Sequence, residues 1–104
     1  MKIMYEKIEP KRPYITVIHV DSVKLKCSGF PTIFEFTDTE GTEYYFRLSG
    51  YHGIIVCKET DEWLADGDMD EDDMCDWDDV VKWAMMECVL LKTDGFIAVD
   101  RSYE

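Results

Sequence analysis

The alternation of apolar and polar positions sorts much of the chain into strands before anything else is known of it. Residues 14–20, YITVIHV, are dense in β-branched side chains and short enough for a strand covered on both faces. Asp21 and Ser22 read as a turn. Val23, Leu25 and Cys27 then alternate with Lys24 and Lys26, the period of a strand with one buried and one wet face, until Ser28, Gly29 and Pro31 end it. Residues 32–38 and 42–48 flank Thr39-Glu40-Gly41, a three-residue connection whose glycine suits the left-handed position of a type I turn with a G1 bulge. Pairing Asp38 with Thr42 sets Phe36 opposite Tyr44, Phe34 opposite Phe46 and Thr32 opposite Leu48. The large apolar groups then share one face, while Ile33, Glu35, Thr37, Glu43, Tyr45 and Arg47 take the other. A slip of one residue would scatter both sets, so pattern and turn chemistry specify one register.

Residues 49–53 form a second turn, and 54–58 return as a strand that completes an antiparallel meander. Beyond it, Thr60 is placed to cap a short helix over 61–64 that Gly67 stops, and 68–73 are too charged for an amphipathic element. Asp76 is the best N-cap for a long helix over 77–92, with Asp78 and Asp79 in its first turn. Trp77, Val80, Val81, Trp83, Ala84, Cys88 and Leu91 make its apolar stripe. Met86 and Val89 fall on the opposite side, leaving the C-terminal half apolar almost all round. Gly95 ends the helix, 96–100 read as a last strand, and Pro10 and Pro13 make 1–13 an N-terminal arm. The expected fold is one α+β domain: a meander of four to six antiparallel strands packed against one C-terminal helix, with 59–76 as an acidic loop.

Charge changes this picture at one place. Residues 59–79 hold 12 acids and no Lys or Arg, so the other 11 acids balance the 11 bases and the net charge of −12 belongs to this segment alone. A charge needed only for solubility has no reason to be confined, whereas confinement focuses a negative field. Trp63, Met69, Met74 and Trp77 are interleaved with the acids, which a purely solvating loop does not require. Asp66, Asp68, Asp70 and Asp72 alternate as calcium-loop ligands do, but the position that needs glycine holds Glu71 or Asp73 and the twelfth holds Trp77 or Asp79. A specific calcium site is not expected, only weak cation binding. Alternate acids on an extended chain lie about 6.6 Å apart, the order of the spacing between successive phosphates. Such a display suits the Lys/Arg-lined groove of a nucleic-acid-binding protein, and it argues against direct nucleic-acid binding by this chain.

Other chemistry is sparse. Cys27, Cys57, Cys75 and Cys88 have no zinc spacing and read as reduced structural thiols. His52, between two glycines, has no acid or nucleophile near it in sequence and reads as a turn residue facing water. No catalytic triad, phosphate loop or metal-binding helix is recognisable, so neither an enzyme nor a cofactor is expected. No window reaches the roughly 18 apolar residues of a membrane span, and a cytoplasmic location is expected.

A chain of 104 residues combining a small sheet-and-helix fold with the stretch DGDMDEDDMCDWDD resembles the small acidic inhibitors encoded by bacteriophages, the DNA mimics and anti-CRISPR proteins. The likeness is one of composition and covers mainly 59–79. It implies a non-enzymatic inhibitor of a restriction or CRISPR nuclease, whose PAM-reading arginines and cationic channels are the attractive targets. The residues expected to meet that partner are Trp63, Asp66, Asp68, Asp70, Glu71, Asp72, Asp73, Asp76 and Trp77. The alternative expectation is a structural module that forms a homodimer through the apolar half of the C-terminal helix, its acidic loop serving solubility.

Overall fold

The computed structural model describes residues 15–29, 31–70, 75–93 and 99–100. Among the described residues the structure is mostly β: strands β1 (Thr16–Cys27), β2 (Thr32–Asp38), β3 (Glu43–Ser49), β4 (His52–Cys57), β5 (Trp63–Asp68), β6 (Val89–Lys92) and β7 (Val99–Asp100), with one short helix, α1 (Trp77–Met86). The sheet runs in the order β5-β4-β3-β2-β1-β6, and β7 pairs with β1. Strands β1 to β5 are antiparallel neighbours in chain order, whereas β6 and β7 join β1 in parallel.

The β2–β3 hairpin adopts the expected register, with Thr32 opposite Leu48, Phe34 opposite Phe46 and Phe36 opposite Tyr44. Gly41 takes a φ of 86°, the left-handed conformation its turn requires. Asp38 reinforces that turn from within: its Oδ1 accepts the Glu40 and Thr42 backbone N–H groups at 2.9 Å each, and its Oδ2 accepts the Tyr44 hydroxyl at 3.0 Å. Its slight burial would raise the carboxyl pKa, but these hydrogen bonds outweigh it and hold the group below the usual carboxylate range.

Elsewhere the chain departs from the pattern reading, each time for a local reason. Residues 16–27 are one strand rather than two. Inward positions change parity from Ile18 and Val20 to Val23 and Leu25, and the pairing with β2 shifts register between Val20 and Ser22. Asp21 and Ser22 are therefore a β-bulge inside a continuous strand, not a turn. The 61–64 helix is absent. Thr60 Oγ1 accepts the Glu62 N–H at 3.3 Å in the β4–β5 connection, where Asp61 N–H donates to the Cys57 carbonyl at 2.8 Å with Asp61 at a φ of 61°. Trp63 then opens β5, so much of the expected acidic loop is strand.

Helix α1 starts where capping chemistry places it. The Asp76 N–H donates to Asp79 Oδ2 at 2.9 Å within a capping box, and Asp78 and Asp79 occupy the positive end of the helix. It stops at Met86 rather than Lys92, because Cys88 turns left-handed at a φ of 70° and Val89 begins a strand, its N-terminal neighbour Cys88 accepting the Thr16 N–H at 2.9 Å. Val89 is fully buried, so it does not widen an exposed apolar face; Met86 alone of that pair is exposed. The expected arm over 1–13, and residues 96–98 of the expected last strand, lie outside the described residues.

The core is the inner face of the sheet closed by α1. Trp77 packs edge-on against Phe34 and Phe36 at centroid distances of 5.6 and 5.2 Å, and Trp83 against Phe46 at 5.5 Å. Such pairs add about 0.5–1.5 kcal/mol each beyond the area they bury. At the helix C-terminus, a Cβ on Gly67 of β5 would overlap the buried Glu87 carboxylate, while Val89, two residues on, already pairs with Thr16 of β1. The sheet is thus strongly curled, its two ends drawn together beneath the end of the helix.

Two substitutions check this packing. Trp77→Ala is expected to cost about 3–5 kcal/mol, the usual penalty for emptying a buried tryptophan site. Gly53→Val is expected to cost about 1–3 kcal/mol by overpacking, since even a Cβ at Gly53 would stand 3.1 Å from Trp83 Cζ2 and 3.3 Å from Phe46 Cε1. Urea unfolding monitored by circular dichroism reads both.

Candidate functional site

Strand β5 is built from small and acidic residues in alternation. Ala65, Gly67 and Met69 turn inward and are buried; Asp66, Asp68 and Asp70 are exposed. At Gly67 no larger residue fits, because a Cβ there would overlap the Glu87 carboxylate at the end of α1; Gly53, across from it, is also closely packed. Backbone rise sets Asp66 and Asp68 about 6.6 Å apart on the outer face. The pairing with β4 shifts register between Ile55 and Val56, so that Ala65 stands opposite Ile55 but Trp63 opposite Val56. This bulge at Leu64 reverses the parity of the strand. Leu64 packs against the core, and Trp63 is delivered to the outer face with 59% of its surface exposed.

The same register brings His52 to the two aspartates. His52 lies opposite Asp68, and its Nδ1 is 3.3 Å from Asp68 Oδ1 while its Nε2 contacts Asp66 Oδ1. The expectation of a histidine without an acidic partner is thereby corrected: the partners are 16 and 14 residues away in sequence and adjacent across the strands. Hydrogen bonding to Asp68 and Asp66 raises the imidazole pKa above its ordinary value. Parity of the hairpin was the signal that would have found this contact, had β5 been recognised as a strand.

The residues expected to meet a partner divide into groups. Trp63, Asp66 and Asp68 share the outer face of β5. Asp70 continues from it into an open pocket of about 260 Å³ that Asp68, Asp79, Lys82, Trp83 and Met86 also line. Asp76 is exposed but serves as the helix N-cap. Trp77 is 7% exposed and belongs to the core, so it is not a contact residue. Glu71, Asp72 and Asp73 lie outside the described residues.

Among the described residues, none of the carboxylates in 59–79 is paired with a lysine or arginine. Lys58, the nearest base in sequence, is instead held between Glu35 at 3.3 Å and Glu43 at 3.4 Å. No group of three His, Cys, Asp or Glu side chains among the described residues is arranged to hold a metal ion. The acids approach opposite nitrogens of the His52 ring, whereas a metal shared with them would need a single ring nitrogen. The arrangement is thus a fixed negative surface with an aromatic group beside it, buffered by one imidazole. None of the four cysteines forms a disulfide, Cys57 and Cys88 are buried, and no described helix is long and apolar enough to cross a membrane. No family model, curated protein or solved structure matches the chain.

The His52 cluster has a definite pH signature. Its folded pKa lies above the unfolded value, so its contribution to stability is complete below about pH 6.5 and fades as pH rises through the folded value. His52→Gln is therefore expected to lower the urea midpoint at acidic pH and to converge with the wild type at alkaline pH. Trp63→Ala, at an exposed position, is expected to change stability by no more than about 0.5 kcal/mol in the same assay.

Proposed function

We propose that this chain is a non-enzymatic inhibitor that binds a basic nucleic-acid-handling protein through the acidic surface of β5, in the manner of a nucleic-acid mimic. The observation that carries this reading is that Asp66, Asp68 and Asp70 stand exposed, Asp66 and Asp68 on the same strand face as Trp63, with no lysine or arginine among the described residues in an ion pair with them. Regular strand geometry gives Asp66 and Asp68 a fixed, phosphate-like repeat, so less ordering is required on binding than an irregular loop would demand. Carboxylates without a lysine or arginine counter-ion supply attraction and association rate, and an exposed tryptophan is the residue type that most often anchors an interface.

A target of this kind is a cationic groove that normally holds a nucleic-acid backbone, as in a restriction or CRISPR nuclease. Binding there excludes the nucleic acid by occupying its site, which requires no catalytic group on the inhibitor. The absence of disulfides among the four cysteines supports a reducing, cytoplasmic setting.

The test is a displacement assay. Host proteins retained on the immobilised chain are eluted with salt, purified and loaded with a fluorescent oligonucleotide, which the free chain is then expected to displace. The triple variant Asp66→Lys, Asp68→Lys, Asp70→Lys is expected to lose affinity roughly tenfold or more, since each exposed charge contributes up to about 1 kcal/mol and reversal turns attraction into repulsion. Its circular dichroism should match the wild type. Equal displacement by a folded triple variant would dispose of the mimic reading.

A further inference from the structure

Both ring nitrogens of His52 face a carboxylate: Nδ1 faces Asp68 Oδ1 at 3.3 Å, and Nε2 faces Asp66 Oδ1. An ionised carboxylate only accepts hydrogen bonds, and a neutral imidazole has one N–H to give. Only the imidazolium, with two N–H donors, satisfies both contacts. When the proton leaves, one ring nitrogen presents a lone pair to a carboxylate oxygen, and that contact becomes repulsive.

The charges around this ring come from three strands. From β5 there are Asp66 and Asp68; from β3, Ser49 lies directly across and Arg47 occupies the neighbouring outward position; on β4 itself the next outward residue is the uncharged Ile54. Arg47 makes no ion pair with either aspartate among the described residues. The helix packs on the opposite face of the sheet, but its Asp79 and Lys82 reach the pocket that Asp68 also lines; among the described residues Lys82 forms no ion pair with Asp66 or Asp68. His52 and Asp66 are each about half exposed, at 51%, and Asp68 is 90% exposed, so protons exchange freely with solvent.

We infer that His52 is a proton-operated gate on the acidic surface: protonated, it occupies Asp66 and Asp68 as an internal cation, and deprotonated, it releases both carboxylates to a cationic partner. The inference rests on the docking reading proposed above and adds its regulation. Affinity for a basic ligand then rises with pH across the titration of His52 and levels off beyond it. The elevated pKa of the imidazole, caused by Asp68 and Asp66, agrees with this direction. The effect is moderate, because exposed charge pairs are screened: the expected gain is roughly two- to fivefold between the two protonation states.

The experiment has two readouts on the intact chain. The first is the NMR titration of the His52 ring protons, expected to show a pKa above the ordinary imidazole value in the wild type and a return towards that value in Asp66→Asn, Asp68→Asn. An ordinary value in the wild type overturns the gate. The second is binding of a hexa-arginine peptide at pH about 6 and about 9, on either side of the imidazole range. Tighter binding at the higher pH by the wild type, with pH-independent binding by His52→Gln, supports the gate. The same pH dependence in both proteins overturns it. Absence of hexa-arginine binding by either protein at both pH values overturns the docking reading instead, and the ring titration still distinguishes that failure from failure of the imidazolium contact.

Discussion

The packing of two tryptophans from one helix onto three phenylalanines of one sheet decides the outside of this molecule as much as its inside. Trp77 against Phe34 and Phe36, and Trp83 against Phe46, commit one face of the sheet to the core. Side chains alternate along every strand, so whatever is not inward is displayed. In β5 this sends Ala65 and Gly67 under the helix and leaves Asp66 and Asp68 nowhere to go but outward. The acidic surface therefore follows from aromatic packing on the far side of the same strand. A single Cβ at Gly67 would press on Glu87 and disturb the one strand whose regularity spaces the charges.

That surface carries an electrostatic cost which the chain leaves largely unrelieved. Lys58 is engaged by Glu35 and Glu43, and among the described residues only His52 contacts the β5 aspartates. A permanent counter-ion such as arginine would have relieved the repulsion at all pH values and cancelled the field with it. An imidazole relieves it conditionally. Near the histidine range, the same two hydrogen bonds that steady the β4–β5 hairpin also withdraw one unit of negative character from its outer face. Stability and exposed charge are thus linked in opposite senses through one side chain.

How much of this was legible in the sequence depends on whether several local signals agreed. The β2–β3 hairpin was readable because Gly41, the apolar alternation and the turn length all specify one register. Strand β5 was not, because its inward residues Ala65 and Gly67 carry little hydrophobic signal; the smallness of Gly67 is a demand of Glu87 at the helix end that only tertiary structure makes visible. Residues 16–27 look like two strands because a bulge changes parity just as a turn would, and Asp21-Ser22 suits either. The end of the helix was hidden for a related reason. A buried cysteine, not a glycine, adopts the left-handed conformation at Cys88, and the run that follows, Val89 to Leu91, is too short and too uniformly apolar for periodicity to tell strand from helix.

Trp63 and Trp77 show why the candidate site was only half readable. They lie in the same acidic segment, each preceded by acids, and composition treats them alike. Their fates are opposite because two different local devices aim them. Capping by Asp76 and Asp79 starts a helix at Trp77 and turns that side chain to the core, where edge-on contacts with Phe34 and Phe36 hold it. The bulge at Leu64 inverts strand parity and turns Trp63 away from the core, opposite Val56 and onto the face that carries Asp66. Without that extra residue, Trp63 would share the inward parity of Ala65 and Gly67. Bulges are common where a strand must re-aim a side chain, and this one exposes a large aromatic group that burial would otherwise favour. The acidic segment is therefore two structural pieces with separate duties: a helix start that closes the core, and a strand whose irregularity presents an aromatic group next to fixed negative charge.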